Sequence, residues 1–331
     1  MACGAFLPKG SVTFDSEGRG GVAKGKEAFG PRVCRSGRLG VKDPSGAAPS
    51  EVLAHMIRGQ EKNRFYSVKP HHVECRPKAV KWMASFASKF RYQPQTLMLS
   101  INYFDAVLSQ FTVTYAQVKL IAFICLHLAA KMGERDEKIP HIEEAYKLFD
   151  QEFSPSEVLN CEKLVFGILN YRLDLSTPIS FVLFFLSKGV VLQSELCSEK
   201  LSHDSMESFM LRFEKLAVNI ALSSIQDYEF YQFTSLAIAC SAIALARKIT
   251  RIGPVWSEEL EELTFLDPSS IQACMTMLEK EPELSSLVQN GISLDKIKSQ
   301  EAANTREGSP SQDGGLQFAR PSQMDVEEER K

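Results

Sequence analysis

The strongest constraint on the fold of this chain is an internal repeat of about a hundred residues. Residues 237–248 align with residues 120–131 at a constant offset of 117, and both runs end in Ala-x-Lys. Each run is apolar on nearly every side, which a helix tolerates only when other helices surround it. The sequence therefore predicts two similar helical units, each built around a buried central helix.

Apolar residues recur at helical spacing through most of the chain, and no stretch alternates convincingly with a period of two. Five helical patterns precede the break at Thr177-Pro178, and five follow it. They cover residues 79–90, 97–108, 118–130, 142–149 and 158–169, and then 179–187, 206–223, 232–249, 256–263 and 268–279. Ser154, Pro155 and Glu157 form a capping box that begins the fifth helix. The predicted fold class is all-α, with two tandem five-helix repeats.

Both ends of the chain have compositions that bury little apolar surface. Residues 1–49 hold 10 of the 19 glycines, and from about residue 299 Ser, Gln, Gly and Asp dominate. Such segments do not offset their ordering entropy. We therefore expect a disordered N-terminal tail at 1–49, a first repeat with a preceding helix at 50–175, a second repeat at 176–285, and a C-terminal tail at 286–331 that is disordered from about residue 299.

Composition and motifs exclude several classes of function. A net charge of -3 gives no global attraction to nucleic acid or to an anionic membrane, so we expect neither as a partner. The eight cysteines form no CxxC, and several lie in apolar helical runs, which predicts reduced core thiols in the cytosol or nucleus. No HExxH, Cys–His metal spacing or phosphate-binding glycine loop occurs, and the pair His71-His72 is expected in a surface loop. These patterns predict no enzyme activity, no metal and no cofactor.

Four segments resemble the cyclin box. Residues 76–83 resemble its first helix, residues 96–109 its second, residues 129–131 the end of its third, and residues 175–178 the linker to a second lobe. The resemblance covers roughly residues 50–285. It implies two tandem cyclin-box repeats in a regulatory subunit that binds and activates a cyclin-dependent serine/threonine kinase in cell-cycle control. It also implies a location in the nucleus and cytoplasm.

The resemblance assigns an internal ion pair to Arg76 and Asp105. In the cyclin family, an arginine on the first helix and an aspartate on the second form a buried pair that locks the box. Without the family, both residues would be interpreted as solvated surface charges.

The resemblance also assigns a kinase-binding surface. The family's lysine at the end of the third helix and glutamate on the fifth bond to the backbone of the kinase C-helix, and Lys131 and Glu162 match them. The apolar residues expected on the same face are Leu128, Met132 and Phe166. Two structural alternatives remain open: Lys131 could serve only the helix dipole, and the three apolar side chains could pack only in the core.

Many cell-cycle cyclins dock Arg-x-Leu substrates and inhibitors in a groove on the first and third box helices. The matching positions here are Cys75, Lys78, Ala79, Trp82, Val118 and Lys119. Because Lys78 replaces an apolar residue and Lys119 a neutral one, a cationic ligand would meet two positive charges. We expect weak or absent Arg-x-Leu docking, and tight binding that Trp82→Ala abolishes would contradict this.

Subtype and regulation are less constrained. Residues 51–61 resemble the helix that precedes the box in D-type cyclins, but the D-type signature Leu-x-Cys-x-Glu is absent, so the subtype stays open. Ser309 precedes a proline in the C-terminal tail and is a candidate phosphorylation site. Two other functions use the same double repeat: a cyclin-fold scaffold that binds partners without activating a kinase, and a transcription-associated protein that clamps promoter DNA. The second would need basic repeats, which this chain lacks.

Overall fold

The computed structural model describes residues 32–33, 38–40, 49–61, 72, 74–140, 153–192, 195, 203–282, 284–285 and 288. Within these ranges the chain forms ten α-helices and three short strands. The helices of the first unit are α1 (Pro49–Glu61), α2 (Cys75–Lys89), α3 (Pro94–Gln110), α4 (Tyr115–Gly133) and α5 (Pro155–Ile168). Those of the second unit are α6 (Pro178–Lys188), α7 (His203–Ser223), α8 (Ser235–Ile249), α9 (Glu258–Thr264) and α10 (Pro268–Glu279).

The predicted all-α class is confirmed, and the predicted helices of the second unit match α6 to α10 closely. The predicted helix at 142–149 lies outside the described residues. Short 3₁₀ helices lie between α-helices at Asp136–Lys138 and Tyr228–Gln232.

Each unit surrounds one central helix. In the first unit α4 packs against α2, α3 and α5, and in the second α8 packs against α6, α7 and α10. Every residue from 120 to 130 is buried, as is nearly every residue of α8. The repeat found in the sequence therefore corresponds to two equivalent buried helices.

Polar caps and prolines fix where the helices begin. Ser154 and Glu157 exchange hydrogen bonds at the start of α5, with Pro155 at the first turn, so the predicted capping box is confirmed. The hydroxyl of Thr177 accepts from the Ser180 amide at 3.2 Å and caps α6. Pro178 follows this cap in the first turn of α6, so the second unit begins at these two residues.

A small antiparallel sheet was not predicted. Strands β1 (Arg32–Val33), β2 (Arg38–Gly40) and β3 (Val191–Leu192) pair in the order β1-β2-β3. The register places Arg32 opposite Gly40 and Arg38 opposite Leu192. Strands of two or three residues are too short to show an alternating pattern, which is why the sequence gives no sign of them.

Helix α1 contacts both the linker and the second unit. A side chain at Gly59 would meet the hydroxyl oxygen of Ser176 at 3.0 Å, so α1 lies close against the linker that precedes α6. The side-chain oxygen of Gln60 accepts a hydrogen bond from the Leu236 amide at 2.9 Å, at the start of α8. The first helix thus helps to set the relative position of the two units.

Candidate functional site

The structure pairs Arg76 on α2 with Asp105 on α3. The guanidinium donates two parallel hydrogen bonds, Nε to Oδ1 and Nη2 to Oδ2, each 2.8 Å long. Both side chains are buried, with 3% and 0% of their surface exposed. A bidentate geometry of this kind is required to offset the desolvation of two buried charges.

The same ion pair extends into the second unit. The hydroxyl of Tyr231 donates to Asp105 Oδ2 at 2.6 Å, and Arg76 Nη1 donates to the carbonyl of Gln226 at 3.4 Å. The Arg76 guanidinium also lies 5.6 Å from the centre of the Tyr228 ring. Burial opposes the charge, but Asp105 and Tyr231 together outweigh it and raise the pKa of Arg76. The pair therefore joins α2, α3 and the 3₁₀ helix of the other unit.

The second pair of predicted site residues lies at the surface. Lys131 Nζ, at the end of α4, lies 2.9 Å from Glu162 Oε1 on α5. The two side chains keep 46% and 16% of their surface exposed. An exposed pair contributes at most about 1 kcal/mol to stability, so both groups can exchange partners at little cost.

Exposed apolar side chains lie beside this pair. Met132 is 51% exposed, and Phe166 is half-buried on α5. The prediction for Leu128 is wrong in its location, because this side chain is 1% exposed and packs in the core. It precedes Lys131 by three residues on a central helix whose inner surface neighbouring helices cover.

Sequence reasoning missed one member of this surface, Leu159, and one aromatic neighbour of it, Tyr171. Leu159 is 50% exposed and precedes Glu162 and Phe166 by three and seven residues, which places the three on one side of α5. Tyr171 is exposed, and its ring stacks on Phe166 with centres 6.3 Å apart. The helical spacing could have revealed Leu159. We name the surface formed by Lys131, Met132, Leu159, Glu162 and Phe166 the α4–α5 face.

A cleft of about 750 Å³ opens beside the α4–α5 face. Met132 forms part of its wall, together with residues of α1 such as Met56, of the linker such as Leu173, and of α6 such as Phe184. The cleft is therefore bounded by both units. It gives a partner helix room to contact α1 and α4 together.

The second unit contains an equivalent ion pair. Lys248 Nζ lies 2.7 Å from Glu279 Oε1, and these residues match Lys131 and Glu162 at the same offset of 117. Their exposed fractions, 42% and 24%, are similar to those of the first pair. An ion pair between the third and fifth helices is thus a property of the repeat.

The apolar surroundings differ between the two units. The positions equivalent to Met132 and Leu159 hold Ile249, which is 1% exposed, and Thr276, whose hydroxyl donates to the carbonyl of Gln272. The second pair consequently lacks the exposed apolar side chains of the first. This difference, and not the ion pair itself, singles out the α4–α5 face as a candidate docking site.

The charged loop at residues 134–138, which follows α4, mainly stabilises the fold. Glu134 accepts hydrogen bonds from the Gln93 amide at 2.5 Å, the Thr96 hydroxyl at 2.8 Å and Lys138 Nζ at 2.9 Å. Although burial opposes ionisation, these donors lower the pKa of Glu134. The loop therefore closes the N-terminal end of α3.

The six residues of the expected peptide groove differ in accessibility. Ala79 and Val118 are buried, Lys78 is exposed, and Cys75, Trp82 and Lys119 are half-buried. Their helices α2 and α4 pack against each other. Only part of this set is thus available to a ligand, and Lys78 is its most accessible member.

Buried thiols and histidines show no sign of metal chemistry in the described part of the chain. The five cysteines described there are free, and burial raises the pKa of Cys161 and of Cys274 to about 11. Among the described residues no group of three or more potential ligands could hold a metal ion.

His72 is buried and its Nε2 accepts a hydrogen bond from the Val113 amide at 3.2 Å, so the predicted surface location is wrong for this residue. His71 and Ser309 lie outside the described residues.

No described helix is both long enough and apolar enough to cross a membrane.

Comparison with protein-family models gives two matches. Residues 51–174 match the model of the cyclin N-terminal domain, and residues 176–305 match that of the cyclin C-terminal domain. Together the matches cover most of the chain, and they meet at the linker before α6.

Curated relatives include several types of cyclin. The chain is 25% identical to a G2/mitotic-specific cyclin-B of Dictyostelium discoideum, over 71% of this chain and 51% of the relative. It is 25% identical to Cyclin-A2-1 of Oryza sativa, over 80% of this chain and 50% of the relative, and 26% identical to Cyclin-D of Ostreococcus tauri, over 61% and 54%. The chain spans about half the length of these relatives. A solved viral cyclin from herpesvirus saimiri aligns at 14% identity with a TM-score of 0.49, over 70% of this chain and 95% of that chain.

Proposed function

The chain belongs to the cyclin family, and we propose that it binds and activates a cyclin-dependent serine/threonine kinase in cell-cycle control. Cyclin domains are non-catalytic, so the prediction that the chain is not an enzyme is confirmed for its two matched domains. The observation that carries the proposal is the α4–α5 face, where an exchangeable ion pair stands among exposed apolar side chains.

The chemistry of this face suits the end of a partner helix. A lysine donates hydrogen bonds and a carboxylate accepts them, so Lys131 and Glu162 can together satisfy both kinds of backbone group. Each hydrogen bond to a charged group contributes roughly 1.5 to 3 kcal/mol. Met132, Leu159 and Phe166 supply apolar surface around these bonds, which excludes water from them.

The proposed mechanism is mechanical. The kinase C-helix lies against the α4–α5 face and the adjoining cleft, and the contact holds that helix in its inward position. This position aligns the catalytic Lys–Glu pair of the kinase and frees its activation segment. Rigidity of the face matters here, and it follows from the buried helix α4 behind Lys131.

Affinity capture with the full chain tests this proposal. We expect wild type to capture a cyclin-dependent kinase from extract of its own cells, identified by mass spectrometry, and to raise that kinase's activity in a purified assay. The double variant Lys131→Ala/Glu162→Ala loses two charged contacts, and we expect at least about a hundredfold weaker binding.

The repeat offers a matched control. Lys248→Ala/Glu279→Ala removes the equivalent ion pair from the second unit, so it carries the same chemical change and the same small effect on stability. We expect this variant to capture and activate the kinase as wild type does. Equal binding by both double variants would show that the interface lies elsewhere.

Two finer expectations depend on the same partner. Relatives of types A, B and D match at nearly equal identity, 25 to 26%. The resemblance of residues 51–61 to D-type cyclins therefore does not decide the subtype. We also propose a location in the nucleus and cytoplasm, since the chain would be found where the kinase that it regulates acts.

A further inference from the structure

The outward side of α2 carries only positive charge. No aspartate or glutamate occurs between Cys75 and Asp105, whereas α2 contains Lys78, Lys81 and Lys89. Positions 78, 82, 85 and 89 advance by four, three and four residues and therefore lie on one side of the helix. Lys81 borders the same side. We name Lys78, Lys81, Trp82, Ser85 and Lys89 the α2 stripe.

The α2 stripe offers a ligand both charge and apolar surface. Lys78, Lys81 and Lys89 are exposed, and the Trp82 ring between them is half-buried. Neither Lys78 nor Lys81 makes an ion pair with any residue that the structure describes. An acidic peptide with an apolar side chain fits such a surface, while a cationic peptide does not.

The chain itself contains a segment of this chemistry. Asp325-Val326-Glu327-Glu328-Glu329 places four carboxylates around a valine, and the cations Arg330 and Lys331 follow it. We propose that the acidic segment 325–329 binds the α2 stripe of its own chain. The carboxylates would pair with the lysines, and Val326 would cover the exposed part of Trp82.

The distance along the chain allows this contact. From Val288, the last described residue, to Asp325 there are 37 residues, which can extend to at most about 120 to 130 Å. A compact unit of about 240 residues is expected to be about 45 Å across. Tethering also gives the segment an effective concentration in the millimolar range, so even weak pairing is populated.

This contact would give the α2 stripe an occupant that competes with external peptides. It is independent of the α4–α5 face, so a chain with an occupied stripe still binds its kinase. We expect external acidic peptides to compete with segment 325–329 for the α2 stripe. Arg-x-Leu peptides should bind poorly, because the lysines repel them and the bound segment covers Trp82.

Zero-length crosslinking of the full chain tests the proposal directly. Carbodiimide treatment at low protein concentration, followed by peptide mass spectrometry, should join carboxylates of 325–329 to Lys78, Lys81 or Lys89. The exposed Lys248 and Lys280 serve as control lysines and should give no such product. An equal mixture of ¹⁴N- and ¹⁵N-labelled chains should give only unmixed crosslinked peptides.

Mixed-isotope products would instead assign the contact to a second copy of the chain and overturn the proposal. Crosslinks from 325–329 to the control lysines, or none to α2, would overturn it as well. Raising the salt to about 0.5 M shortens the screening length to about 4 Å, so the specific crosslinks should fall several-fold.

Tryptophan accessibility provides a second readout. In full-length Trp256→Phe, Trp82 is the single tryptophan, and changing the four acids of 325–329 to amides should raise its acrylamide quenching constant about twofold as the screened contact is lost. The matched control changes the four glutamates of α9, Glu258, Glu259, Glu261 and Glu262, to glutamine and should leave quenching unchanged. Unchanged quenching in the first variant would contradict the proposed contact.

Discussion

At the scale of single residues, His127 shows how closely the core approaches the α4–α5 face. It precedes Lys131 by one turn of α4, stacks on Phe123 with ring centres 5.6 Å apart, and is buried. Its Nδ1 is buried and has no hydrogen-bond partner among the residues that the structure describes. Burial, followed by the Lys131 charge, lowers the pKa of His127 to about 4, while Glu162 opposes the shift.

This shift predicts a dependence of stability on pH. The pKa of His127 is about 4 in the folded chain, below the ordinary value of about 6.5 in the unfolded chain. As the pH falls from 6.5 towards 4 the unfolded state takes up the proton first, so stability is lost over that window. Between pH 7 and pH 5 this loss is about 2 kcal/mol.

Urea unfolding of wild type and His127→Gln at pH 7 and pH 5 measures the effect. Other titrating groups contribute equally to both proteins, so the difference between them isolates His127. We expect the variant to lose less stability on acidification. An identical loss in both proteins would mean that His127 does not titrate in this range.

At the scale of helices, the Arg76–Asp105 pair connects α2 with α3. Asp105→Ala leaves a buried guanidinium without its carboxylate, and we expect a loss of about 3 to 5 kcal/mol in the free energy of unfolding. Arg76→Met/Asp105→Leu removes both charges and should cost much less. The urea midpoints of the two variants measure this difference. Equal midpoints would show that the unpaired charge of Arg76 does not cause the loss of stability in Asp105→Ala.

The helices were also the part of the fold that sequence could predict best. Apolar spacing sets the extent of α6 to α10, and the cap at Ser154 sets the start of α5, because both signals are local. The strand at 191–192 pairs with residues 38–40, which lie far away along the chain, and no local pattern records that pairing. The surface position of Leu159 and the burial of Leu128 likewise depend on which sides of the helices their neighbours cover.

At the scale of the whole molecule, Tyr231 makes one of the contacts between the two units. Its hydroxyl reaches Asp105, so Tyr231→Phe removes a hydrogen bond to a buried charge. We expect a loss of roughly 1.5 to 3 kcal/mol and faster amide exchange in both α2 and α3. Tyr171→Phe, which changes an exposed tyrosine, is the matched control and should leave exchange as in wild type. Faster exchange confined to residues 228–232 would show that the two units are not coupled through this hydroxyl.

The paired lysine and glutamate that occur once in each unit bear on how docking surfaces are recognised in other duplicated folds. A search that scores charge positions alone finds two equivalent surfaces in this chain. A search that also weighs exposed apolar area finds one, because Ile249 and Thr276 stand where Met132 and Leu159 stand in the first unit. The second unit therefore acts as an internal reference, against which the features that matter for recognition can be separated from those that the repeat merely inherits.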